Sequence, residues 1–190
     1  PMSAETETRQ PGRRVHWLEL FFDLVLVAYI GQIAHTMHGD PSWTDAAVFF
    51  ALLATAWWAW VNAMVSMNIF GARVTPVIWV AVTVAMLSIG IMAAAVPAAL
   101  TERAPAFALA NVVIRLVWAI PWFMKRRSSG VPWWRPVLYC LVPASLWAVS
   151  IAFDTPVRLA LWGAAILLEI VLLSFLGTQT AWLRRVLDVD

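Results

Sequence analysis

Trp17-Leu18-Glu19-Leu20-Phe21-Phe22-Asp23-Leu24-Val25-Leu26-Val27 is apolar except for two carboxylates. Glu19 and Asp23 are four residues apart, so on an α-helix they stack on one face. The other positions are mostly Leu, Phe and Val, the composition of a membrane span. Ionisable groups inside a span face the bundle interior or a wet cavity rather than lipid. The stretch therefore predicts an intramembrane site with both carboxylates turned inward.

The rest of the chain is of the same kind. Its 190 residues are 62% hydrophobic and 13% charged, with a mean hydropathy of +0.78. A soluble domain is about half apolar and roughly a quarter charged. The expectation is an all-α, polytopic membrane helix bundle. Pro1 before Met2 reads as the scar of a cleaved tag. The single cysteine, Cys140, excludes an intrachain disulfide and a cysteine-based metal motif.

The apolar runs predict about six spans, near Trp17–His35, Thr44–Phe70, Pro76–Leu100, Ala106–Met124, Pro136–Phe153 and Val157–Gly177. They make a transmembrane domain over 15–177, between polar tails at 1–14 and 178–190. The first run is not a secretory signal, because Glu19 and Asp23 interrupt it and no small-residue cleavage site follows. His38-Gly39-Asp40-Pro41-Ser42, Glu102-Arg103-Ala104-Pro105 and Asp154-Thr155-Pro156 read as turns, and Lys125 to Gly130 as a basic loop. Asp45 opens the second span. Pro97 should end or kink the third, and Pro143 should kink the fifth.

Lys and Arg set the orientation. One side carries Arg9, Arg13, Arg14, Arg73, Lys125, Arg126, Arg127, Arg135, Arg184 and Arg185; the other carries Arg103 and Arg158. Both termini are then cytoplasmic. Trp43, Trp79, Trp133, Trp134 and Trp182 lie near span ends, as an interfacial belt requires. Trp57, Trp58, Trp60, Trp118, Trp147 and Trp162 lie deeper and read as packing residues.

Polar groups from four helices then converge in the cytoplasmic half of the bilayer. At a helical rise of about 1.5 Å per residue, Glu19 and Asp23 lie roughly 3–10 Å inside that boundary. Asn62 and Asn68 share that half, as do Asn111 with Arg115, again four apart, and Glu169. Each charge costs roughly 2.5–3.5 kcal/mol to insert at a helix centre. Arg115 is therefore expected to pair with at least one of Glu19, Asp23 and Glu169. A carboxylate left over is the setting for a proton carrier or a general acid. The same groups also serve as a structural clasp that fixes helix register, and the asparagines as interhelical hydrogen-bond partners.

His35-Thr36-Met37-His38-Gly39-Asp40 has metal-ligand residue types but reads as a surface turn, and no metal site is assigned. No phosphate-binding glycine loop, Ser-His-Asp arrangement, nucleic-acid motif or cofactor signature is present. The basic cluster at Lys125, Arg126 and Arg127 is explained by orientation and anionic lipid. The expected partners are the lipid bilayer, a second copy of the chain, and a small molecule or ion that the sequence leaves unknown.

Arg14-Val15-His16-Trp17-Leu18-Glu19-Leu20-Phe21-Phe22-Asp23-Leu24 resembles the opening signature of the bacterial low temperature requirement protein A family. Trp57-Trp58-Ala59-Trp60 with Asn68 is similar to the family's second helix. Ala110-Asn111 with Arg115-Leu116 is similar to its fourth, and Leu161-Trp162 with Leu168-Glu169 to its sixth. The resemblance covers nearly all of 13–177 and implies a multi-pass inner-membrane protein. Family members are usually longer by a second half, so the resemblance implies either a short member, whose dimer would supply that half, or a truncation of a longer chain. A fainter similarity is to six-span cation channels with Phe-Ser-Asp after an upstream Arg. Phe22-Asp23 with Arg14 is similar to it, without the serine.

Three functions fit these residues. In a proton-coupled transporter or ion-conducting protein, Asp23 or Glu169 carries the proton or cation and Arg115 is its counter-ion. In a membrane-embedded enzyme, a protonated carboxylate acts on a lipid or isoprenoid beside Trp57, Trp58, Trp60 and Trp118. In a structural or regulatory protein, the polar cluster only holds helices together.

Overall fold

The computed structural model describes residues 17–70, 75–129 and 132–178, with side chains for all of these except 17–19, 68–70, 125–129, 173 and 176–178. Every regular element among the described residues is helical. There are α1 (Trp17–His35), α2 (Trp43–Phe70), α3 (Pro76–Ala95) and α4 (Ala104–Ser129). A composite α5 follows, built from a short turn Trp134–Pro136, π-helical turns Val137–Leu141 and an α-helix Val142–Ser150, and then α6 (Val157–Thr178).

Local chemistry sets the helix ends. Gly39 adopts φ +94 in the turn after α1, a conformation that glycine reaches without strain. Ser42 and Asp45 cap α2 reciprocally: the Ser42 amide donates to Asp45 Oδ2 at 2.9 Å, and the Asp45 amide to Ser42 Oγ at 3.2 Å. Thr75 caps α3, with Pro76 in the first turn where a missing N–H is harmless. As expected at Pro97, α3 gives way to a 3-10 turn, Val96–Ala98. Arg103 Nη1 reaches back to the Ala94 carbonyl at 2.5 Å, placing a cation at the C-terminal end of α3.

Two expectations about the backbone change. Lys125, Arg126 and Arg127 lie in α4 and not in a loop, because α4 continues past Pro121 to Ser129. The irregularity expected at Pro143 sits just before it. Proline offers no N–H to the carbonyl one turn back, and the chain absorbs the mismatch as π turns. The amide of Val142 bonds to the carbonyl of Val137, five residues earlier.

Helix α4 is central. It packs most extensively on α3 and also meets α2 and α5, while α1 lies on α3, and α6 on α5 and α2. Alanines dominate the contacts: Ala56, Ala59 and Ala63 on α2, Ala81 and Ala85 on α3, Ala104 and Ala108 on α4. Small side chains let backbones approach closely, the usual packing where lipid removes the hydrophobic drive between helices. Phe22, Tyr29, Phe107 and Trp147 fill the remaining space. The Tyr29 hydroxyl donates to the Leu52 carbonyl at 2.9 Å and ties α1 to α2.

The exterior is apolar as well. Leu24 and Val27 on α1, Phe50 on α2, Leu87 on α3, Leu109 on α4 and Leu167 on α6 all point outward. Such a continuous apolar surface fits lipid and not water. Trp43–Met67, Pro76–Ala98 and Ala104–Met124 are long and apolar enough to cross a membrane, and Leu20–His35 is a shorter apolar helix. Trp43, Trp79, Trp133 and Trp134 are exposed near helix ends, while Trp182 lies outside the described residues. Trp118, Trp147 and Trp162 are buried, but Trp57, read as packing, is 55% exposed on the outer face of α2.

Candidate functional site

Helix α4 presents Asn111 and Arg115 one turn apart, both buried. Across from them, α6 presents Glu169. Arg115 Nε donates to Glu169 Oε1 at 2.9 Å, and Nη2 to Oε2 at 2.7 Å. Each side chain of this bidentate pair is 3% exposed. The third guanidinium nitrogen, Nη1, donates to the Asn111 Oδ1 at 2.9 Å and to the Asn111 carbonyl at 3.0 Å. Asn111 Nδ2 donates to the Phe107 carbonyl at 3.0 Å, which fixes the orientation of the amide. From α2, Asn62 Nδ2 donates to the Trp58 carbonyl at 3.1 Å and reaches Glu169 Oε1 at 3.5 Å.

Aromatic rings lie alongside the ions. The Arg115 guanidinium lies 5.1 Å from the Trp147 ring centroid, in cation–π range. Trp147 packs on Trp162 at 5.0 Å, and Phe107 on Trp162 at 5.2 Å. Trp162 Nε1 donates to Ser150 Oγ at 2.8 Å, securing this wall between α5 and α6. Fork-to-fork geometry and complete hydrogen bonding are the conditions under which a buried pair offsets its desolvation.

Beside the pair is a cavity of about 10 Å³, lined by Ala59, Asn62, Ile114, Arg115, Trp118, Tyr139, Cys140 and Glu169. It has room for about one water. The π turns of α5 carry Tyr139 and Cys140 to its wall. Trp118 also lines it, and the buried Trp118 Nε1 has no protein hydrogen-bond partner.

Asp23 is elsewhere. It is exposed on α1, at the seam with α2, and its Oδ1 accepts a hydrogen bond from Trp60 Nε1 at 2.8 Å. Trp57 lies one turn before Trp60, with ring centroids 5.4 Å apart and planes inclined by 39°. The expected cluster is thus divided. Asn62, Asn111, Arg115 and Glu169 meet inside the bundle, and Asp23 stands on its outside. The side chains of Glu19 and Asn68 lie outside the described residues. Trp147, Tyr139 and Cys140 enter the inner site without having been singled out for it, while Trp60, expected beside a carboxylate, meets Asp23. Pro143, shortly after Tyr139 and Cys140, was the one sequence signal that the helix there is irregular.

At the other end of the bundle, the His35 and His38 rings are 4.8 Å apart and exposed. Arg158 Nη2 lies 3.6 Å from Asp154 Oδ1.

The model of the family described as bacterial low temperature requirement A protein (LtrA) matches residues 14–187. The uncharacterized protein RA0937 of Rhizobium meliloti (strain 1021) is 26% identical over 155 residues, 80% of this chain. The match spans only 38% of that relative's length. No solved structure matches the chain.

Proposed function

The chain belongs to the bacterial low temperature requirement A family, and from that premise we propose a multi-pass inner-membrane protein that moves protons or cations through the Asp23 seam. All six helices span the bilayer in this reading, with both termini in the cytoplasm. The apolar exteriors of α1 and α6 and the concentration of Lys and Arg on one side support it.

The observation that carries the proposal is the unequal treatment of two carboxylates. Glu169 is gripped at both oxygens by Arg115. Asp23 receives one indole N–H and has no cationic partner among the described residues. A carboxylate in an apolar helix with no fixed counter-ion takes up a mobile one, either a proton or a cation. Glu169 and Arg115 then serve as the fixed joint between α4 and α6, with Asn62 linking it to α2. Acid catalysis on a lipid gains no support at Glu169, since the adjoining cavity is about 10 Å³ and the carboxylate is already bound.

The test is flux in proteoliposomes under an imposed pH gradient, then under a potassium gradient. Wild type should conduct above protein-free vesicles, and Asp23→Asn should abolish flux while unfolding at the wild-type temperature. Flux that survives in Asp23→Asn removes the proposal.

A further inference from the structure

Resting on that reading, we infer that the α1–α2 seam is a binding site for an organic ammonium ion, with Asp23 as its counter-ion and Trp57 and Trp60 as its aromatic walls. Three observations lead there. First, Asp23 is an exposed carboxylate among the exposed apolar side chains of Leu20, Leu24 and Val27. Counting from Trp17 at about 1.5 Å per residue, it lies roughly 9 Å along α1. Charge at that depth calls for an opposite charge.

Second, the one described contact of Asp23 is an indole N–H and not an oxygen ligand. Small metal cations are held by several oxygen ligands that replace their hydration shell. Among the described side chains, the Asp23 carboxylate stands against the Trp60 indole, with the Trp57 ring next to it. An alkylated ammonium has the opposite requirement: weak hydration, a diffuse charge and apolar substituents that pack on π faces, for which tryptophan is the best side chain.

Third, the rings are positioned. Trp60 donates its N–H to Asp23 at 2.8 Å, so its ring edge is fixed to the carboxylate. Donation to an anion also polarises the indole toward a more negative face. Trp57 is 55% exposed and set at 39° to Trp60, so the two rings form an open angle and not a closed stack. A lipid-facing tryptophan without function would be expected at the interface, whereas Trp57 is mid-helix in Trp43–Met67.

The experiment is equilibrium binding of tetramethylammonium chloride to the purified full chain, read by tryptophan fluorescence. Sodium chloride at equal ionic strength is the reference. Saturable quenching by tetramethylammonium alone is expected. Asp23→Asn should weaken it by more than about tenfold, Trp57→Leu by several fold, and Trp57→Phe by less than Trp57→Leu. Trp57 is on the exterior, so its variants keep the test valid if Asp23→Asn unfolds.

Quenching equal to that by sodium chloride overturns the inference, and so does affinity unchanged in both Asp23→Asn and Trp57→Leu. The trimethylammonium group could be free or part of a lipid headgroup. Binding repeated in nanodiscs separates the sources: weaker apparent affinity in phosphatidylcholine than in phosphatidylglycerol identifies the headgroup, and equal affinity the free ion. Binding without flux keeps this site and removes the transport reading. Asp23-dependent proton flux without tetramethylammonium binding does the reverse.

Discussion

Glu169 and Asp23 offer the same functional group to the same bundle, and the bundle treats them oppositely. Around Glu169 every ion is matched: two oxygens meet two guanidinium nitrogens, and the third nitrogen meets Asn111. Around Asp23 one indole N–H is the whole coordination among the described residues. The first arrangement fixes helices relative to one another. The second leaves Asp23 without a cationic partner among the described residues. Helix α2 borders both, with Trp60 on Asp23 and Asn62 on Glu169.

The comparison breaks most visibly at Arg115. Arg115→Leu leaves Glu169 buried and unpaired, which should destabilise the protein by about 3–5 kcal/mol. Thermal unfolding in detergent measures it. The double variant Arg115→Leu with Glu169→Leu should recover most of that loss, because no uncompensated charge remains. A double variant as unstable as the single one would mean that the pair is more than a joint.

Next comes Asp23→Asn, which sharpens the contrast. It should shift stability by no more than about 1 kcal/mol, because the amide oxygen still accepts from Trp60. Flux should nevertheless be lost. A large stability change with flux retained would exchange the roles of the two carboxylates.

Trp60→Phe removes the seam's hydrogen bond but keeps a ring. The expected stability cost is about 0.5–1.5 kcal/mol, with weaker tetramethylammonium binding in the same quenching assay. Asn62→Ala should do least, below about 1 kcal/mol, since its 3.5 Å contact with Glu169 is long and Arg115 already holds both oxygens.

Much of the framework was legible. Pro97, the Ser42 and Asp45 turn, and Asp154-Thr155-Pro156 all mark real helix ends, because capping and proline effects act within a few residues. A carboxylate partner for Arg115 followed from the cost of burying charge. Its identity did not follow. Spacing puts Glu19 and Asp23 on one face of α1, but only the rotation of α1 against α2 and α3 decides whether Asp23 faces in or out. That rotation is set by Phe22, Tyr29 and Ile33, which turn inward. Trp57 was misplaced for the same reason. The π turns escaped because proline predicts a disturbance and not the form it takes.

Those π turns make α5 a helix with one residue to spare. Between Val137 and Val142 the chain uses five residues for a turn that four could close. Deleting one residue there would restore α spacing without rotating either flank. Trp147 would then stay beside Arg115, while the wall carrying Tyr139 and Cys140 would retract. The bundle thus holds a one-residue surplus that adds side chains to a cavity while the joint beside it keeps its register.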